Sequence, residues 1–451
     1  MRSPVTQDHR DAGGRLLITL GLGVFAGALD LGVLSPALPA LGLAFGVPTG
    51  SLAWVFTLYL LVNVAAIAIA SVLADRYGRR LVYIACVGLF AFGSVVAIAA
   101  PSFGIFLFAR ALQALGAGGI FPVATAAIGD VVPQERRGAA LGLVAATWGL
   151  AAVIGPVFGG LVTHFVSWRW IFAANVPLAI AVVVLARTNV PRNAPRTRGP
   201  LDGFGLVLLC AGLLLTMDAL TTGAIGPGVL GLASLGGFAW WERNARWPIL
   251  PPAIFTTPQL VKTYILELAI GALEGSLFFI PAVLVDAQSL SYAAAGLIAA
   301  LGALMFVAVI PLSGRALDRV GSRNVLLVGT VLTEAGLGLF ALGFTSLPLT
   351  LLAMIVAGCG FGALLGAPTR YIVTNETTPQ MRATAIGLLS QALIVGQILG
   401  GSLAGGIIGL ARSELTGYRD AYLAFAGIAL GALIVTATLK PKREELKVKA
   451  S

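Results

Sequence analysis

The sequence predicts an all-α, polytopic membrane protein. Composition, the spacing of apolar runs and an internal repeat carry that reading. Of 451 residues, 58% are hydrophobic and 11% charged, and the mean hydropathy is +0.95. A water-soluble chain needs far more polar surface than this to cover itself. A helix needs about 20 apolar residues to cross roughly 30 Å of hydrocarbon. Runs of about that length fall at 15–40, 51–73, 81–100, 103–129, 138–164 and 169–187, then at 203–222 and 225–241. They continue at 260–283, 290–313, 324–343, 347–370, 383–410 and 420–439, so fourteen transmembrane helices are expected. Prolines and glycines inside many runs imply kinks, which neighbouring helices can satisfy. The 57 glycines suit helices that pack closely in lipid.

The repeat is carried by a short charged turn between two apolar runs. Ser71 to Arg80 reads SVLADRYGRR, and Gly314 to Arg323 reads GRALDRVGSR. Asp, Arg, Gly and Arg return in order, 243 residues later. A second echo, Pro133-Gln134-Glu135-Arg136 against Pro379-Gln380-Met381-Arg382, agrees within three residues. Two loops in register with the runs between them predict two homologous halves. A spacing of 243 residues is long for six helices and fits six plus an inserted pair. The expected division is a six-helix bundle over 1–187, an inserted helix pair with linkers over 188–258, and a second bundle with a tail over 259–451. An inserted pair leaves the halves as parallel repeats.

Charge sets the orientation. With the N-terminus inside, the cytoplasmic segments carry 25 of the 29 basic residues. They include Arg2, Arg10, Arg15, Arg76, Arg79, Arg80, Arg187, Arg192, Arg196 and Arg198, and end with Lys440, Lys442, Arg443, Lys447 and Lys449. Outside fall Arg169, Arg412 and Arg419, and Arg110 lies within a helix. The positive-inside rule places both termini in the cytoplasm of a plasma-membrane protein. The same distribution accounts for the net charge of +10 with no nucleic-acid partner. Cys86, Cys210 and Cys359 all sit in apolar runs and read as small core residues. His9 and His164 are isolated, so no metal site and no cofactor are expected. The first run is too long for a signal-peptide core and reads as a retained helix.

Several stretches resemble the major facilitator superfamily, in its drug:proton antiporter branch with fourteen helices. Ser71 to Arg80 is similar to that family's signature between helices 2 and 3, with Ser71 in place of the leading Gly. Arg110-Ala111-Leu112-Gln113-Ala114-Leu115-Gly116 resembles its helix-4 motif. Gly142, Gly155, Pro156, Gly159 and Gly160 resemble the helix-5 antiporter motif, with Ala151 at a position usually Gly. Leu29-Asp30 with Ala37-Leu38-Pro39 resembles the helix-1 motif, and Trp168-Arg169-Trp170-Ile171-Phe172 with Asn175-Val176-Pro177 is also similar to the branch. The resemblance implies the major facilitator fold and a helix 5 that packs across the interface between halves. It also implies that Asp75, Arg76, Gly78 and Arg80, with Asp318 and Arg319 in the second copy, form a conformational latch. On spacing alone, Gly155 and Gly159 lie four apart on one helix face and admit a close neighbour.

Ionisable residues inside the runs mark function, because a charge at the bilayer centre costs at least about 2.5–3.5 kcal/mol. Asp30, Arg110, Glu267 and Glu274 are the proton-coupling candidates, with Asp218 and Glu334 behind them. Asp30 lies about 22 Å along its helix at 1.5 Å per residue, past the midplane. Glu267 and Glu274 are two turns apart and share a face. Tyr59, Asn63, Gln113, Gln391 and Gln397 are the candidates for lining a substrate cavity. Trp168, Trp170 and Phe172 read as an interfacial aromatic belt.

The combined expectation is a monomeric, proton-coupled exporter of small lipophilic or cationic compounds, working by alternating access in the lipid bilayer. Export of a lipid or a specific metabolite by the same coupling is the alternative. No HExxH, paired catalytic His or nucleotide loop supports an enzyme, and no appended soluble domain supports a sensor. Cysteine-accessibility labelling should find both termini and the 188–202 loop inside and positions 223 and 415 outside. An inside location for position 415 would overturn the orientation.

Overall fold

The computed structural model describes residues 4–192, 202–246, 248–250, 255, 257–378 and 381–442. Arg2, Arg196, Arg198, Arg443, Lys447, Lys449 and the Pro379-Gln380 part of the second loop echo lie outside the described residues. Helices account for the described elements, and no strand occurs among them. We number the rods in chain order: α1 Gly14–Phe45, α2 Thr49–Tyr77, α3 Arg79–Ala99, α4 Phe103–Val131, α5 Gln134–Phe165 and α6 Arg169–Asn189. Then come α7 Gly203–Thr222 and α8 Ile225–Asn244, followed by α9 Pro258–Gln288, α10 Tyr292–Val320, α11 Ser322–Gly343, α12 Leu347–Glu376, α13 Arg382–Leu410 and α14 Glu414–Ala437.

Thirteen of these fourteen rods are long and apolar enough to cross a membrane. The exception is α8, the eighth of the fourteen expected helices. It has 20 residues, but Gly, Trp and the terminal Glu242-Arg243-Asn244 dilute its apolar content. Its outward side chains are still apolar: Val229, Leu230, Leu232 and Trp240 are all exposed.

The breaks in the rods follow the prolines. In α1 a 3-10 turn, Ser35–Ala37, precedes a short helix with Pro39 in its first turn. In α9 a 3-10 turn, Leu277–Phe279, precedes a short helix with Pro281 in its first turn. Proline lacks the N–H that would continue the ladder, so each rod bends there. The charged turns also repeat in conformation. Gly78 and Gly321 have φ of 93° and 84°, which a residue with a Cβ rarely adopts. Each N–H closes the preceding helix, on Ala74 at 3.0 Å and on Leu317 at 2.9 Å.

The chain forms two compact units, Met1–Leu34 with Leu61–Leu201, and Ser35–Leu60 with Asp202–Ser451. In the first, α1 packs on α5 and α3 on α4. A Cβ on Gly159 would lie 2.0 Å from the Val33 carbonyl oxygen, and one on Gly155 would lie 3.0 Å from the Gly32 Cα. On α4, a Cβ on Gly116 would lie 2.4 Å from the Cys86 oxygen. In the second unit α9 packs on α13 in the manner of α1 on α5. Cβ atoms on Gly271, Gly396 and Gly400 would lie 2.1, 2.2 and 2.1 Å from carbonyl oxygens of the facing helix. The inserted rod α7 seats on α13 as well, where a Cβ on Gly406 would lie 1.8 Å from the Leu220 oxygen.

Within the second unit, Ser35–Leu60 caps one end. Ser35 Oγ donates to the Phe278 carbonyl at 2.8 Å, and the rings of Phe56 and Phe278 stack at 4.3 Å. The aromatic belt is corrected in part. Trp170 is exposed, but Trp168 and Phe172 are buried edge to face with Phe106, because the run that precedes α6 folds back onto α4.

Gly159→Ala should lower the thermal midpoint, since overpacking a filled contact costs about 1–3 kcal/mol. Gly142→Ala, in the same sequence motif but with nothing within 4 Å, should be neutral or raise it slightly, because Ala favours a helix over Gly by about 0.5–1 kcal/mol. Equal midpoints for the two variants would refute the close crossing.

Candidate functional site

The first unit holds a buried polar network in an apolar bundle. Asp30 comes from α1, Ser94 from α3, Arg110 and Gln113 from α4, and Asn175 from α6. Arg110 and Gln113 are three apart and therefore share a face. Gly93, beside Ser94, lets α3 approach, since a Cβ there would lie 2.7 Å from the Gln113 nitrogen. Asp30, Ser94, Arg110 and Gln113 are 0% exposed and Asn175 is 3% exposed. Arg110 Nη1 donates to Asp30 Oδ2 and to Gln113 Oε1, the latter at 2.7 Å. Asp30 Oδ1 accepts from Gln113 Nε2 at 3.2 Å and from Asn175 Nδ2 at 3.1 Å. Ser94 Oγ accepts from the same two amides at 2.8 and 3.4 Å and donates to the Phe90 carbonyl. A buried ion pair is tolerable only when further hydrogen bonds satisfy it. Both Asp30 oxygens meet donors here.

The second unit has a different arrangement on α9. Glu267 is 4% exposed. It hydrogen-bonds Thr369 on α12 and lies in the field of Arg370. Glu274 is bonded to Gln397 on α13. The glycine crossing aligns that pair, because Gly275 sits under the Gln397 carbonyl. The remaining oxygen, Oε2, of each glutamate is buried with no hydrogen-bond partner. Glu267 and Glu274 thus meet different neighbours in the same unit.

The charged turn of the first unit is an ion-pair chain. Asp75 Oδ1 pairs with Arg79 Nη1 at 2.7 Å, and Arg79 Nε pairs with Asp130 at 3.2 Å. Arg76 points outward over the Tyr77 ring, Arg80 is half-buried, and Gly78 forms the turn. In the second copy Asp318 and Arg319 are exposed and their carbonyls accept from Lys442. No group of three His, Cys, Asp or Glu that could hold a metal occurs among the described residues.

Residues 20–261 and 263–451 match the model of the Major Facilitator Superfamily. The chain belongs to the major facilitator superfamily. It is 32% identical over 405 residues to the MFS-type transporter YfiU of Bacillus subtilis (strain 168), covering 86% of this chain and 78% of that one. It is 28% identical over 416 residues to the multidrug resistance protein B homolog of Mycobacterium tuberculosis (strain ATCC 25618 / H37Rv), covering 88% and 76%. It is 34% identical over 293 residues to the MFS-type transporter Rv1877 of the same strain, covering 62% of this chain and 42% of that one. Among solved structures, a D-xylose–proton symporter superposes with a TM-score of 0.73 at 15% identity, over 96% of this chain and 98% of that one. The POT family transporter PepTSo gives 0.71 at 17%, over 94% and 97%. These likenesses establish the fold.

Within this major facilitator protein, the structure brings Asp30, Arg110 and Gln113 together in one unit and Glu274 with Gln397 in the other. Asn63 lies beside Gly118 on α4, Tyr59 is buried, and Gln391 is half-buried. Gly155, Pro156, Gly159 and Gly160 are buried, and Gly155 and Gly159 face α1 of their own unit. Ser94 and Asp130 were not singled out in the sequence, and Asn175 and Arg79 were named only within motif stretches and not as site residues. A signal for Asp130 exists. It stands three residues before Pro133-Gln134, as Glu376 stands three before Pro379-Gln380.

Arg110→Met should destabilise the protein by about 3–5 kcal/mol, because it strands a buried carboxylate. Asp30→Asn combined with Arg110→Met should recover part of that loss in detergent melting curves. A double variant no more stable than Arg110→Met would show that the pair is not held by charge.

Proposed function

We propose that this protein is a proton-coupled exporter of lipophilic cations, working by alternating access, with Glu267 and Glu274 as the exchangeable carboxyls. The buried, unpartnered oxygen on each glutamate carries this reading. An ionised oxygen without a donor is costly in a dry site. Each glutamate therefore calls for a proton or a cation on that oxygen, and a group that takes either in turn couples their movements. Asp30 has no such opening, because both its oxygens already accept hydrogen bonds. Its role is a fixed charge pair that organises α1, α3, α4 and α6. The similarity to a relative named for multidrug resistance supports drug-like substrates, and apolar walls around two acids suit lipophilic cations of varied shape. Major facilitator proteins move small substrates through two repeats that rock about a central site.

In proteoliposomes, a pH gradient should drive tetraphenylphosphonium flux through the wild-type protein. Glu267→Gln and Glu274→Gln together should abolish the response to the gradient while leaving the protein folded and monodisperse. Gradient-driven flux at the wild-type rate in the double variant would remove the glutamates from coupling. Flux driven in the wild type by a lipid or metabolite, but by no lipophilic cation, would replace the substrate class.

A further inference from the structure

The charged turn of the second unit is held from a different part of the chain than the turn of the first. In the first unit the cation sits on the turn itself, as Arg79, between Asp75 and Asp130. The 243-residue shift places Ser322 at the position of Arg79. The acid is nevertheless kept, as Glu376 three residues before the second Pro-Gln. Its cation is Lys440, whose Nζ lies 2.5 Å from Glu376 Oε1 with the glutamate side chain 8% exposed.

Lys440 belongs to a short segment after α14 that is tied down along its length. Lys262 Nζ, on α9, donates to the Thr438 carbonyl at 2.9 Å. Leu439 is 2% exposed in the cluster of Leu266, Leu326 and Ile372. The Lys440 N–H donates to Gln259 Oε1 at 3.1 Å. Lys442 Nζ donates to the carbonyls of Asp318 and Arg319, each at 2.7 Å. The turn is shaped for this contact, since a Cβ on Gly321 would lie 2.7 Å from the Lys442 Cβ. Five residues thus fasten the start of α9, the α10–α11 turn and the end of α12 to the end of α14.

We propose that Thr438–Lys442 is a strap that positions these four helix ends, with Lys440 supplying the cation for Glu376 where the position of Arg79 is taken by Ser322. A salt bridge at a surface is worth little by itself. This one differs because its acid is nearly buried and its lysine is held by the backbone on both sides. The first turn carries its own cation, which pairs with Asp75 beside it and reaches Asp130 on α4. The second turn keeps its brace only while α14 and the strap move with it. The inference rests on the repeat and the local geometry, and stands apart from the export reading.

Hydrogen exchange on the full chain in lipid nanodiscs tests it without any transported substrate. Lys440→Met and Glu376→Gln should each raise exchange over residues 317–325 about tenfold, as local opening of a released turn. Lys440→Arg, and the exchanged pair Lys440→Glu with Glu376→Lys, should return near wild-type protection. Exchange within 327–340 of α11 should not change in any variant. Unchanged exchange at 317–325 in Lys440→Met would overturn the strap. So would an exchanged pair as fast as the single variants, or acceleration spread through α11.

Discussion

The structure depends on backbones that touch without a side chain between them. At the α1–α5 and α9–α13 crossings, glycines bring helix axes so close that a single methyl group would strike a carbonyl oxygen. Helices in lipid gain no hydrophobic drive from meeting each other, so shape must hold them. The polar groups follow from these crossings. α1 carries Asp30 inward beside α4, and α9 presents Glu274 to Gln397 because Gly271, Gly275, Gly396 and Gly400 remove the intervening bulk. A wider crossing would leave those side chains short of their partners.

The two units use similar scaffolds for unlike electrostatics. The first buries a charge pair with amides and a hydroxyl around it, so that Asp30 is satisfied on both oxygens. The second leaves one oxygen of each of two glutamates without a donor. A satisfied network rigidifies, and an unsatisfied one invites a ligand or a proton. The contrast between a satisfied charge pair and two glutamates with an open oxygen is therefore built from residue choice, with a similar helix framework in both units.

Much of the fold was legible because lipid demands long apolar helices and closed backbone hydrogen bonds. The helix order, the repeat and the turns at Gly78 and Gly321 all left local marks in the chain. The rod α8 was read as an ordinary span because its length is ordinary, while its glycines and tryptophans dilute its apolar content. Asp30 and Arg110 stood out because ionisable residues are rare in such runs. That they pair, 80 residues apart, is a matter of helix packing that no local pattern records. Ser94 was passed over since a hydroxyl in an apolar run is commonplace, and Asn175 was named only as part of a motif. Arg79 was counted among residues obeying the positive-inside rule, although its side chain is mostly buried between two acids. Trp168 looked interfacial by composition, and only its packing on Phe106 shows otherwise.

The hydrogen bond from Ser35 to Phe278 joins positions separated by 243 residues, which is the length of the repeat itself. The two 3-10 breaks are the same place in the two copies. In a homodimer of an ancestral half, such a contact would be a residue meeting its own counterpart across a two-fold axis. Every substitution there would be made twice, so both sides would have to suit one side chain. Within a single chain that restriction does not hold. One copy now offers a hydroxyl and the other a ring that stacks on Phe56. The two breaks thus meet through unlike groups, a hydroxyl from one and a backbone carbonyl and a ring from the other.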